Sequence, residues 1–414
     1  MLQKTLGDLG IGRRDFIVVF GLLVNAFTWL FFLGFFIEQA ISLLDIKNDM
    51  PIWSAFYLSI IGFSIIGAVV SKRFSREKFL KLWIIFGVIA SLLPVLFSNF
   101  TVTNLSVISV IFGASFGLGM PSCLAFFTEI TKVDNRGRVG GITFLIVFLV
   151  GPLLTLSLNT LSLPIFALVC AVWRGTGLSV CYLKQKKQDS PEVSETSFIS
   201  ILRDRPFILY FVAWLMFSVV DIMETPIVTK AIDDESTLYA IMEIVEPILS
   251  TVFILVAGVF CDWIGRKKIV LSGFVSLGIA YAIVGLFSGQ VTSGQSDFLW
   301  YLYFVVDGAA WGIFYLTFTL ILWGDLSQSG SREKYYALGS VPFFISYIIP
   351  QFVSLPDDLG AAFSVAAFFL FLAVLPLISA PETLPEKKVE LRRLRSFAEE
   401  AQKAKEKYER KVGK

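Results

Sequence analysis

The chain has 414 residues, of which 56% are hydrophobic and only 16% charged, and its formal net charge is +2. That balance excludes an ordinary soluble domain and leaves a polytopic membrane protein, and the small net charge hides a spatial bias rather than implying a nucleic-acid partner. There is no histidine, so imidazole proton relays are excluded and neither a metal site nor a cofactor is expected.

A bilayer core of about 30 Å needs roughly twenty apolar residues per helix, and on that scale the sequence divides into twelve spans. Residues 1–15 form a basic N-terminus with no cleavable leader expected. The first six spans cover approximately residues 16–44, 52–70, 79–98, 102–130, 139–160 and 163–183. Residues 184–206, with Lys186, Lys187, Asp189, Glu192 and Glu195, read as a polar linker. The second six cover approximately 207–229, 238–261, 269–288, 298–324, 335–355 and 361–379. The sequence therefore divides into six-helix units at 16–183 and 207–380, and residues 381–414 form a charged tail in which Leu391, Leu394, Ala398 and Ala401 recur at helical spacing. The four cysteines, Cys123, Cys170, Cys181 and Cys261, read as packing residues.

Lysine and arginine crowd into alternate loops: Lys72 to Lys81, Lys132 to Arg138, the linker, Arg266 to Lys268, and Arg332 with Lys334. That asymmetry predicts a cell-membrane protein with both termini cytoplasmic. The halves also repeat one another. Gly113-x-x-x-Gly117 is followed by Glu129 and, after six residues, Arg136; Gly308-x-x-x-Gly312 is followed by Asp325 and, at the same spacing, Arg332.

Between the eighth and ninth spans lies Gly258-x-x-x-Asp262-x-x-Gly265-Arg266-Lys267-Lys268. Gly258 permits close helix approach, Gly265 supplies the positive φ of a reversal, and Asp262 is placed to cap a helix or pair with Arg266. The spacing resembles the cytoplasmic signature of the major facilitator superfamily, and the likeness extends over about Arg13 to Glu382. It implies an all-α membrane protein with twelve transmembrane helices in two pseudo-symmetric six-helix bundles. It further implies a monomeric, non-enzymatic transporter that alternates access to a central cavity. Gating then falls to Gly258, Asp262, Gly265, Arg266, Lys267, Glu129, Arg136, Asp325 and Arg332. The first-half copy is degraded: Ser71 stands where the acid is expected and Phe74 where the second glycine is, leaving Arg76 and Lys78 to pair with Glu129. Pro381-Glu382-Thr383 is similar to the terminal motif of sugar porters, whose other hallmarks are missing, and Gly151-Pro152 keeps only part of a motif of drug-proton antiporters. By the same analogy the cavity lies along the first, fourth, seventh and tenth helices, with Asn25, Thr28, Trp29, Phe32, Trp214, Trp311 and Tyr315 as candidates.

Charged groups inside a span cost about 2.5 to 3.5 kcal/mol at its centre, so those present are functional candidates. Asp221 and Glu224 share one helical face, as do Glu243 and Glu246 beside Pro247, and Asp307 reaches a similar depth. With Glu38 the main acid of the first half, the five predict an acidic vestibule biased to the second half. Desolvation favours a neutral carboxyl, so these acids are candidates for binding protons on one side and releasing them on the other. The bland alternative places Glu224 and Glu243 in a solvated outer loop with Asp233, Asp234 and Glu235. Arg174, mid-way along the sixth span, lies too deep to snorkel and predicts a buried charge with a polar partner or a wet space. No Gly-rich phosphate loop is present, which argues against ATP hydrolysis. The function expected is proton-coupled secondary transport of a small organic solute, with efflux of a cationic or amphipathic compound the first reading. Sugar or metabolite uptake, and a non-transporting sensor or scaffold, are the alternatives. A large polar cavity closed at one end would favour transport, and a cavity filled with Phe and Leu the scaffold.

Overall fold

The computed structural model describes residues 13–97, 100–181, 196–232, 237–292, 297–349 and 352–385. The charged tail beyond residue 385, most of the linker, and Asp233, Asp234 and Glu235 lie outside the described residues.

The first half contributes α1 (Arg13–Leu43), α2 (Met50–Val70), α3 (Arg76–Leu92), α4 (Val102–Gly117), α5 (Met120–Ile130), α6 (Arg136–Ser157) and α7 (Leu163–Cys181). A short α8 (Phe198–Ile201) leads to α9 (Arg205–Ala231), α10 (Thr237–Trp263), α11 (Arg266–Leu286), α12 (Ser288–Thr292) and α13 (Asp297–Leu316). The chain closes with α14 (Leu322–Leu326), α15 (Arg332–Gly339), α16 (Val341–Ser346) and α17 (Leu359–Ser379). Local chemistry sets several starts: Thr101 accepts from the Asn104 amide at 3.2 Å and Asp358 from the Ala361 amide at 2.8 Å, each capping the helix that follows.

Among the described residues ten segments are long and apolar enough to cross a membrane. The other two expected spans are α7, which is shorter, and α15 with α16, which is broken. The expected eleventh span of 335–355 ends early, because Pro342 interrupts the run and the apolar residues after Ser346 turn instead of continuing a helix. The fourth span breaks between α4 and α5, where Gly119 lies against the Trp83 ring and Pro121 opens the next helix. The tenth contains a π-helical turn, Thr317–Ile321, which resets the face its second part presents.

Packing repeats with a two-fold pattern. Helix α2 lies on α4 as α10 lies on α13, α3 and α1 lie on α7 as α11 and α9 lie on α17, and α1 meets α6 as α9 meets α16. Gly113 and Gly117 press on the α2 backbone at Phe56 and Ile60, while Gly308 and Gly312 press on the α10 backbone at Glu246 and Ser250. The halves meet where α6 packs on α10 and where α15 and α16 pack on α2. Large apolar side chains remain exposed around the outside, Leu58, Ile89, Val172, Ile248 and Phe368 among them, as a surface facing lipid tails requires.

Candidate functional site

A cavity of about 440 Å³ lies between the halves. Its lining includes Glu38 near the end of α1, Trp53 near the start of α2 and Thr155 near the end of α6, so it extends toward the end of the bundle opposite the basic loops. Rings dominate the wall: Phe27, Phe31, Trp53, Tyr57, Phe148, Trp311, Tyr315, Phe343 and Tyr347. Tyr57 and Tyr347 stack across the two halves with centroids 4.3 Å apart. Glu38 is the charged side chain among the lining residues.

Toward the basic end the interior closes. Phe148 meets Tyr315 edge-on at 4.9 Å, Phe27 packs on Phe144 at 5.0 Å, and beneath them only about 20 Å³ of space remains, among Trp214, Phe318, Trp323 and Tyr336. One layer further, Tyr336 donates its hydroxyl to the Leu320 carbonyl and stands 2.6 Å from the Thr128 hydroxyl, joining the halves.

The charges come last, and they cross. Asp325, at the end of the tenth span, is fully buried and pairs with Arg136 of the first half and with Arg266 Nε at 3.0 Å. Glu129, its counterpart in the fourth span, pairs with Arg332 of the second half at 3.4 Å and with Arg76 at 2.9 Å. Arg76 also reaches Glu333 at 2.7 Å. Thus where Ser71 lacks a carboxylate, the partner for this basic loop comes from α15. Asp262 accepts from the Gly137 and Arg138 amides at 2.9 and 2.8 Å, capping α6 from across the interface, and takes Arg266 Nη2 at 3.2 Å. Gly258 sits against Gly137, where any side chain would strike backbone, and Gly265 has φ +124. Lys78 is not in this set, and Lys267 donates to the Ile378 carbonyl instead.

Sequence reading missed two members, Glu333 and Glu382. Glu382 receives the Arg266, Lys267 and Leu384 amides at 2.9, 3.2 and 3.0 Å, and Thr383 donates to Asp325 at 3.1 Å, so the segment after α17 straps the loop before α11. The Pro-Glu-Thr spelling was the available signal.

The five intramembrane acids divide. Asp221, Glu224 and Asp307 are 6%, 2% and 2% exposed, Glu246 is half-buried, and Glu243, one turn further out, is exposed. Burial is matched by neutral donors: Trp311 Nε1 to Asp221 at 2.7 Å, the Tyr303 hydroxyl to Glu224 at 2.5 Å, and the Tyr281 hydroxyl to Asp307 at 3.1 Å. The expected vestibule is therefore a closed cluster inside the second bundle, separated from the cavity by the Trp311 ring. The solvated-loop alternative fails for Glu224. It fits Glu243.

The first helix presents another face than expected. Asn25, Thr28, Trp29 and Phe32 turn away from the cavity, and Phe27, Leu30, Phe31, Gly34 and Phe35 line it. The cause is Arg174, fully buried, whose guanidinium donates to Asn25 Oδ1 at 2.7 Å and lies 4.6 and 4.0 Å from the Trp29 and Trp83 rings. Trp29 in turn donates to Ser91 at 2.8 Å. A buried cation claims the polar face of α1, leaving an apolar face for the cavity. Trp311 and Tyr315 do line it; Trp214 lies below, stacked on Phe318 at 4.8 Å.

Comparison with known proteins places this geometry in context. The sequence model described as Major Facilitator Superfamily matches residues 18–322. Two solved structures resemble the fold. The human organic anion transporter MFSD10 (TETRAN) is 14% identical with a TM-score of 0.63, covering 88% of this chain and 99% of that one. The proton:xylose symporter XylE, bound to 6-bromo-6-deoxy-D-glucose, is 12% identical with a TM-score of 0.66, covering 89% and 96%. The curated proteins contain no match to the sequence.

Proposed function

Because the chain belongs to the major facilitator superfamily, and is thus a multi-pass secondary transporter rather than an enzyme, we propose that its solute is an amphipathic organic cation exported in exchange for protons. The basic loops and both termini face the cytoplasm in this reading, so the structure corresponds to a state closed inside and open outside. The observation that carries the solute class is the cavity wall, where one carboxylate, Glu38, stands among aromatic faces. A cation over a ring gains about 0.5 to 2 kcal/mol, more as water is excluded, and the countercharge adds orientation. The cavity is open at one end and closed at the other, which supports transport over the scaffold reading, although its wall is aromatic where a polar one was expected; ring faces offer a sugar few of the hydrogen bonds it needs. Proton coupling is assigned to Asp221, Glu224, Glu246 and Asp307, supported by the neutral donors set against Asp221, Glu224 and Asp307 and by Glu246 facing Asp307. Glu243 is left out of that role.

The test is ethidium flux in liposomes holding the purified protein as a monomer, with a pH gradient imposed. Gradient-driven accumulation, slowed about 2- to 5-fold by Glu38→Gln, is expected. Flux that ignores the gradient would remove the proton assignment; a preference for neutral sugars would remove the cation.

A further inference from the structure

Trp311 joins the cavity to the carboxyl cluster through a hydrogen bond, and Tyr347 also lines the cavity while facing Asp221. Trp311 lines the cavity with its ring and donates its indole N–H to Asp221 behind the wall at 2.7 Å. We infer that Trp311 is the positioning residue through which a solute in the cavity and a proton on Asp221 sense one another. The inference rests on the proton-coupled reading and adds the residue that joins its two halves.

Four features carry it. Asp221 has no lysine or arginine paired with it among the described residues. The titratable groups facing it are Glu224 one turn along α9, Glu246 from α10, Asp307 from α13, Tyr281 from α11, and Tyr347 beyond α16. The indole is therefore a principal neutral stabiliser of an Asp221 carboxylate. A hydrogen bond to an ionised acceptor is roughly twice as strong as one to a neutral acid, so protonation loosens the tether on the ring.

The ring borders the open space of the cavity. It lies edge-on between Phe217 at 5.2 Å and Phe343 at 6.3 Å, and its helix continues into the π turn beginning at Thr317. Phe343 belongs to the broken eleventh span and itself lines the cavity. A released indole thus changes the wall that a solute touches. By linkage, a solute that prefers one ring position changes the proton affinity of Asp221 by the same factor that the proton changes solute affinity, typically about 5- to 150-fold.

The experiment uses full-length protein labelled with 5-fluorotryptophan and followed by fluorine NMR, the Trp311 resonance being identified by its loss in Trp311→Phe. As pH falls from about 9 to about 4, a range wide enough for a buried carboxyl, this resonance is expected to move through one titration step. In Asp221→Asn it should stay at its low-pH position throughout, and Asp221→Ser serves if the amide variant does not fold. A wild-type resonance that never moves, or a step that survives both Asp221 variants, overturns the inference. Ethidium affinity, measured in parallel in a Glu38→Gln background so that the cavity carboxylate does not contribute, should vary about tenfold over the same range and stay flat when Trp311→Phe is added. If wild-type flux ignores a pH gradient, the proton reading fails and takes the inference with it. A gradient-driven wild type with a fixed Trp311 resonance defeats the inference alone.

Discussion

Asp325→Asn puts the closed gate to a quantitative test. The carboxylate is wholly buried and serves Arg136, Arg266 and Thr383 at once. Removing one partner of a buried ion pair costs about 3 to 5 kcal/mol. Asparagine keeps an acceptor oxygen and Arg266 keeps Asp262, so about 2 to 3 kcal/mol is the better figure here. Only the Arg136 pair crosses between the halves, Arg266 and Thr383 lying in the same half as Asp325, so about half of that cost, about 1 to 1.5 kcal/mol, falls on the state in which this end is closed. At 1.36 kcal/mol per tenfold, the equilibrium moves toward the opposite state by about 5- to 12-fold. The assay is the labelling rate of Tyr57→Cys, on the cavity wall, by a membrane-impermeant maleimide added from the cavity's open side, in a background with the native cysteines replaced. With the two states comparably populated in the wild type, labelling in Asp325→Asn should slow by about 3- to 7-fold. An unchanged or faster rate would refute the idea that this carboxylate holds the basic end shut.

Glu382→Ala removes a cap worth about 1 to 2 kcal/mol from the start of α11, a contact within the second half, so lower thermal stability in detergent is expected. Gly265→Ala forces a side chain into a conformation that only glycine adopts freely and drives its Cβ onto the Glu382 carboxylate; a loss of about 1 to 3 kcal/mol, read as lower thermal stability in detergent, is expected. Arg174→Leu strips the cation from between Trp29 and Trp83 and leaves Asn25 without its guanidinium donor, so thermal stability should fall by about 2 to 4 kcal/mol; a leucine variant as stable as the wild type would show that the stack contributes nothing.

Local pattern reached far in this molecule. Apolar run length is a direct response to bilayer thickness, so ten of the spans appear within a few residues of expectation. Gly258, Asp262, Gly265 and Arg266 were legible as a turn because each residue type answers a local demand: close approach, capping, positive φ and charge. The spacing of three between Asp221 and Glu224 likewise put both acids on one face before any neighbour was known.

What that face would meet was not legible, since helical periodicity orients side chains relative to each other and not to the rest of the bundle. Folding set Tyr303, Tyr281 and Trp311 against the acids, across separations of 79, 26 and 90 residues, and so made a closed cluster of an expected vestibule. It also turned Asn25 and Trp29 toward Arg174, about 150 residues along the chain, leaving a plain aromatic face for the cavity. The spans and their turns follow from short-range chemistry with lipid and backbone; the cavity wall and the crossed ion pairs follow from which distant group each buried charge had to reach.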